Sequence, residues 1–112
     1  HNIIRSNDMM LGCPHDVAGG ALLMHILAGR LGVKPGKYTH SISNAHIYDI
    51  HYNQAWEILE RPDDHPLIFL EAQKDWFERA EKFDDTVVDE IVSKLNQNYK
   101  PGAPIKGMQI VL

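Results

Sequence analysis

The sequence predicts one small domain that mixes strands and helices, and three observations carry that prediction. A strand-like start, His1 to Ser6, runs through a polar cluster into a turn at Gly12 and Pro14. A long apolar helix follows, and after it comes a segment, Lys37 to Ile50, in which apolar and small polar residues alternate loosely. With 112 residues there is room for one such domain and a moderate core.

The elements follow in order. His1–Ser6 is the end of a strand, too short to be fixed by its period alone. Asp16 is placed to cap a helix over residues 17–32. Val17, Ala21, Met24, Ala28 and Leu31 form one stripe of that helix, and Leu22, Leu23, Ile26 and Leu27 widen it. An apolar surface on most sides predicts a central, buried helix. Gly19 and Gly20 weaken its first turns by roughly 1 kcal/mol each relative to Ala, which is tolerable where another group packs closely. Gly32 and the turn Lys34-Pro35-Gly36 end it.

Tyr38, His40, Ile42, Ala45 and Ile47 make a strand of the first two-thirds of residues 37–50. Tyr52–Leu59 reads as a helix with Trp56 and Leu59 inward, stopped by Arg61-Pro62, and Pro66–Leu70 reads as a short strand. Residues 71–98 are ambiguous, although Trp76, Phe77, Ala80 and Phe83, then Val87, Ile91 and Leu95, fall at helical spacing. The tail after Tyr99 is rich in Pro and Gly.

Composition narrows the function classes. Eleven basic against 15 acidic residues leave a net charge of −4, with no basic footprint for nucleic acid. Cys13 is the one cysteine, so no intrachain disulfide forms and a reducing, cytoplasmic setting is expected. No apolar run approaches the ~20 residues of a membrane span, and no signal peptide is visible. The chain opens on His1 rather than Met, and Ile3-Ile4 resembles the middle of a strand, so a piece of a larger protein is expected.

The chemistry concentrates between Arg5 and Asp16. A guanidinium, a hydroxyl, two carboxylates and free backbone N–H groups meet where a strand enters a helix, which suits an anionic small molecule. Arg5 and Ser6 are candidates for a phosphate, since Arg offers a planar two-pronged donor set. His46 and Tyr48, two apart on a strand, share a face suited to a sugar hydroxyl. Each has a plainer alternative: a surface Arg, a turn Ser, turn and cap carboxylates, a polar strand edge. Seven histidines show neither HExxH spacing nor a CxxC partner, so no metal site is expected. Cys13 reads better as a small apolar residue beside Leu11 and Pro14 than as a nucleophile.

The order of these residues resembles the C-terminal half of the thymidylate synthase family, which includes the pyrimidine nucleotide hydroxymethylases. The likeness runs through Arg5-Ser6-Asn7-Asp8, Leu11-Gly12-x-Pro14-x-x-x-Ala18, Ala21-Leu22-Leu23-x-His25, Leu31–Gly36 and His40. It continues through Ala45-His46-Ile47-Tyr48-x-x-His51-x-x-Gln54, Arg61 and Pro66, to Phe83-Asp84-Asp85 and Tyr99–Lys106. The resemblance implies an α+β fold with a mixed sheet on a long central helix, one domain whose N-terminal part lies outside this chain, and a homodimer. It also shifts the expectation for residues 71–95 towards partly extended structure.

The family's roles map onto matching positions. Arg5 and Ser6 would bind the nucleotide 5′-phosphate, His46 and Tyr48 the ribose hydroxyl, and Asp8 both the pyrimidine and the folate pterin. Leu11, Gly12, His15 and the C-terminal Leu112 would line the site of 5,10-methylenetetrahydrofolate. The nucleophilic cysteine, a glutamate base and the arginines reaching across the dimer would lie upstream, so these 112 residues alone are expected to be inactive. Ile4 stands where Gln is usual, Asn44 where Asp is, His15 where an aromatic is, and Cys13 where an apolar residue is.

Asp16 is the departure with chemical consequence, because thymidylate synthases keep Asn there. An Asn amide donates to O4 of uracil and accepts from its N3–H. Cytosine inverts that pattern, and an Asp accepts from its N4–H₂ and, when protonated, donates to N3. Mismatched polar groups in a closed pocket discriminate strongly. The resemblance therefore implies a cytidylate 5-hydroxymethylase, with Asp16 as the catalytic and base-reading residue. The alternatives are a thymidylate synthase methylating deoxyuridylate and, in another class, a non-catalytic fragment or binding module.

Overall fold

A computed structural model describes residues 1–111, and its first landmark is a strand–helix–strand unit. Strand β1, Asn2–Asp8, leads into helix α1, Gly12–Leu31, and the chain returns as strand β2, His40–His46. Passage through a helix brings β2 back in the direction of β1, so the two pair in parallel, Asn2 opposite His40 and Asp8 opposite His46. The expected mixed sheet is thus, among the described residues, a parallel pair. A 3₁₀ turn, Asp49–His51, then leads into helices α2, Tyr52–Glu60, α3, Trp76–Glu81, and α4, Thr86–Asn98. The architecture is mixed α/β.

Helix α1 begins at Gly12, not at Val17. Pro14 is no obstacle in a first turn, where backbone N–H groups have no intrahelical acceptor. The earlier start puts Asp16 one turn inside the helix and frees its carboxylate from capping. At the other end Gly32 takes φ +67°. The Val33 N–H reaches the Ala28 carbonyl at 3.0 Å and the Gly32 N–H reaches Gly29 at 3.1 Å, the paired bonds of a Schellman stop.

The chain forms two compact units. The first comprises His1–Gly20, Tyr38–Asp64 and the tail from Gly102; the second comprises Ala21–Lys37 and His65–Pro101. In the first unit the tail is tied down by His51, fully buried, whose Nε2 donates to the Gln109 carbonyl at 2.9 Å. Gln54 adds a long bond to the Lys106 carbonyl at 3.5 Å. Gly20 answers the question its presence raised: a Cβ there would lie 2.6 Å from Cζ of Tyr38, whereas Gly19 has open space.

In the second unit Trp76, Val87 and Ile91 are buried, with Leu22, Ile26, Leu70, Ala72 and Leu95 packed against them. Arg79 joins α3 to α4, donating to Asp84 at 2.9 Å and Glu90 at 2.8 Å. Hydrogen bonds from Thr86 and Arg79 lower the Asp84 pKa to about 2, and Arg79 likewise lowers that of Glu90.

Four further expectations need correction. Helix α1 is long but not buried: Ala28 is its one buried residue and Leu31 is 71 % exposed, since a chain this small has too little surface to cover 20 helical residues all round. Trp56 and Leu59 on α2 do not point inward, being 65 % and 74 % exposed. They lie two and five residues beyond Gln54, the contact to the tail, and so on the opposite side of the helix. Residues 66–70 form no strand, because no partner strand lies beside them among the described residues. Residues 76–81 and 86–98 are helical, as the spacing suggests, with a turn over 82–85 and no strand where the resemblance implied partly extended structure. Phe83 closes α3 in the left-handed region, φ 58°, which takes it off the apolar face and into solvent.

Candidate functional site

The end of β1 and the start of α1 line a cleft of about 450 Å³ in the first unit. Asp8, Leu11, Gly12, His15 and Asp16 come from that junction, Tyr48 from beyond β2, and Ile110 and Val111 from the tail. Its volume suits a small organic ligand. Local geometry explains the spacing. The Met10 N–H bonds Asp8 Oδ1 at 2.9 Å, turning the chain out of the strand and leaving Oδ2 without a bond among the described residues. Gly12 and Asp16 are four apart and share a helix face. Gly12 is small for a reason: a Cβ there would sit 3.1 Å from Asn7 Nδ2. His15 Nδ1 donates to the Leu11 carbonyl at 2.6 Å, which holds the ring along the cleft wall.

Asp16 meets a partner that its sequence position does not announce. Asn7, 5 % exposed, donates from Nδ2 to Asp16 Oδ2 at 2.8 Å. Asn7 Oδ1 in turn lies 3.2 Å from His40 Nε2. A buried amide at a strand end needs a partner on each side. Its place between Ser6 and Asp8, beside an otherwise open junction, was the signal available for it.

The cleft gathers Asp8, Leu11, Gly12, His15, Asp16 and Tyr48 from the positions singled out in the sequence. Three others are not among its lining residues. Arg5 is exposed on β1. Ser6 accepts a bond from Asn44 Nδ2 at 3.3 Å, across the register of β1 and β2. His46 packs edge-on against Tyr48, ring centres 5.1 Å apart at 83°. Leu112 lies outside the described residues. Ile110 and His51 were not foreseen. His51 places Ile110 and Val111 by gripping Gln109, and it packs edge-on against Tyr48 on its other side.

The donor set of the cleft is two carboxylates, an imidazole and a phenol among aliphatic walls. Such a lining can accept from N–H groups of a flat heterocycle and stack against its faces. Cys13, half-buried in the first turn of α1, is not among the lining residues. Among the described residues no cluster of three or more His, Cys, Asp or Glu could hold a metal ion. No helix among them is long and apolar enough to cross a membrane.

Comparison with known proteins gives one consistent answer. The family profile described as thymidylate synthase matches residues 1–111. Thymidylate synthase of Mycoplasma genitalium is 36 % identical over 98 residues, 87 % of this chain and 31 % of that protein. Thymidylate synthase of Mycoplasma pneumoniae is 35 % identical over 82 residues, 72 % of this chain and 28 % of its own length. The bifunctional dihydrofolate reductase-thymidylate synthase of Leishmania amazonensis is 34 % identical over 103 residues, 91 % of this chain and 18 % of that one. The chain therefore spans about a third or less of the curated relatives it matches. No solved structure matches it.

Proposed function

The chain belongs to the thymidylate synthase family, and from that premise we propose that it is the C-terminal portion of a folate-dependent pyrimidine-nucleotide C5 one-carbon transferase, reading cytidylate. The observation that carries the reading is Asp16. It lines the cleft with Oδ2 already taken by the Asn7 amide, which leaves a fixed acceptor, Oδ1, for the ligand. A carboxylate held as an acceptor matches the N4–H₂ of cytosine and repels O4 of uracil.

The remaining roles follow the cleft. Asp8 Oδ2 is free to accept from a pterin or pyrimidine N–H, and Leu11, Gly12, His15, Ile110 and Val111 form walls for a flat ring. That combination fits 5,10-methylenetetrahydrofolate, which supplies the one-carbon unit when bound. Arg5 and Ser6 on β1 would take the phosphate, and His46 with Tyr48 the sugar. The nucleophile and the remaining phosphate ligands would come from the rest of the protein and from a second copy, in a homodimer. Water as the last attacker would yield the hydroxymethyl product.

The second reading is a thymidylate synthase acting on deoxyuridylate, favoured by the names of the relatives themselves. Titrating the full-length protein with deoxycytidylate and deoxyuridylate separates the two. Cytidylate should bind more tightly, and Asp16→Asn should move the affinity ratio towards uridylate by about tenfold or more. A wild-type preference for uridylate, or a ratio that ignores Asp16→Asn, would overturn the cytidylate reading.

A further inference from the structure

We infer that His40, with Tyr38 behind it, is a specificity-determining positioning residue, acting on the ligand through Asn7 and Asp16. The inference rests on the reading of Asp16 as the base-recognition residue. Its basis is a line of hydrogen bonds that runs from the start of β1, through β2, to the cleft. Asn2 Nδ2 lies 3.4 Å from Tyr38 Oη, Tyr38 Oη 3.0 Å from His40 Nδ1, His40 Nε2 3.2 Å from Asn7 Oδ1, and Asn7 Nδ2 2.8 Å from Asp16 Oδ2.

The direction of every proton in this line follows from its last member. A carboxylate accepts, so Asn7 must present its NH₂ to Asp16 and its carbonyl to His40. His40 must then carry its proton on Nε2, which leaves a lone pair on Nδ1 for the Tyr38 hydroxyl to donate into. The hydroxyl oxygen keeps a lone pair for the Asn2 amide. All donors point towards Asp16. The line is also fixed in space from α1: Gly20, which carries no side chain, admits the Tyr38 ring, and Asp16 lies four residues earlier on the same helix face.

Without the His40 donor the buried Asn7 carbonyl loses its partner, and the Asp16 carboxylate alone holds the amide. The amide is then free to leave its place, and Asp16, exposed on its helix, loses the contact that fixes its Oδ2. A carboxylate that is no longer fixed presents a poorer acceptor to N4–H₂ of cytosine and can draw back from O4 of uracil. His40 would thus set how sharply the site tells the two bases apart without touching either.

Titration of full-length variants with deoxycytidylate and deoxyuridylate tests this. His40→Phe should lower the cytidylate-to-uridylate affinity ratio about tenfold, mainly by weakening cytidylate. His40→Gln, which keeps an N–H aimed at Asn7, should restore most of the ratio. Tyr38→Phe, which removes only the hydroxyl, should reduce it severalfold and serves if His40→Phe does not fold. Equal weakening of both nucleotides with the ratio unchanged, or a Gln variant no better than Phe, would mean that His40 is merely structural. Asp16→Asn is the control for the parent reading. If it shifts the ratio and the His40 variants do not, only the relay is wrong; if it leaves the ratio untouched, base reading by Asp16 falls and the relay with it.

Discussion

In the unit that holds the cleft the buried side chains are Asn7, Met10 and His51; in the other they are Ala28, Trp76, Val87 and Ile91. The first unit closes on hydrogen bonds with definite directions, and the second on apolar contact that has none. A buried polar group costs free energy unless it is paired, so it adds little net stability but fixes orientation. An apolar core stabilises more and specifies less about any one proton. The division leaves directed polar contacts around the cleft in one region and an apolar contact that holds α3 and α4 together in the other.

Truncation of the apolar centre should produce the largest effect. Trp76→Ala removes the one fully buried aromatic of the second unit and should cost about 3–5 kcal/mol in urea unfolding followed by helical circular dichroism. A loss below about 1 kcal/mol would erase the contrast, because the core would then be no more than a surface cluster.

A smaller change of opposite sign is expected at the end of α3. Phe83 holds φ 58° and is 91 % exposed, so it bears left-handed strain without burying its ring. Phe83→Gly should stabilise the chain by up to about 1 kcal/mol. Destabilisation would mean that the ring does more than the exposure allows.

The smallest effect is electrostatic and again confined to the second unit. Folding lowers the pKa of Asp84 to about 2 and lowers that of Glu90, both against Arg79. Both carboxylates bind fewer protons folded than unfolded, so their contribution is complete above the ordinary carboxylate range and fades as pH falls towards 2. Amide exchange in α3 and α4 should quicken across that window. Arg79→Gln should remove the dependence while leaving the neutral-pH fold intact; the same acid response in that variant would refute the assignment.

The order of elements was legible because it is local. A polar cluster after a strand, a long apolar helix stopped by Gly32, and the 3.6-residue spacing of Trp76, Ala80, Val87, Ile91 and Leu95 each act over a few neighbours. That spacing proved a better guide to α3 and α4 than the family pattern did. Of the site, Asp8, Leu11, Gly12, His15, Asp16 and Tyr48 could be named in advance, since five of them sit within nine residues at one junction. The start of α1 was misplaced because Asp16 has the chemistry of a cap, and Pro14 that of a turn, until a first turn forms around both.

By itself, then, the sequence determined the family, the strand-to-helix junction and a carboxylate that lines the cleft. Only the tertiary structure decided what holds that carboxylate. Asn7 meets His40 across 33 residues and His51 meets Gln109 across 58. The packing of the parallel strands and the tail brings those side chains within hydrogen-bonding distance. A polar side chain's partner depends on that three-dimensional closure, and no spacing along the chain encodes it.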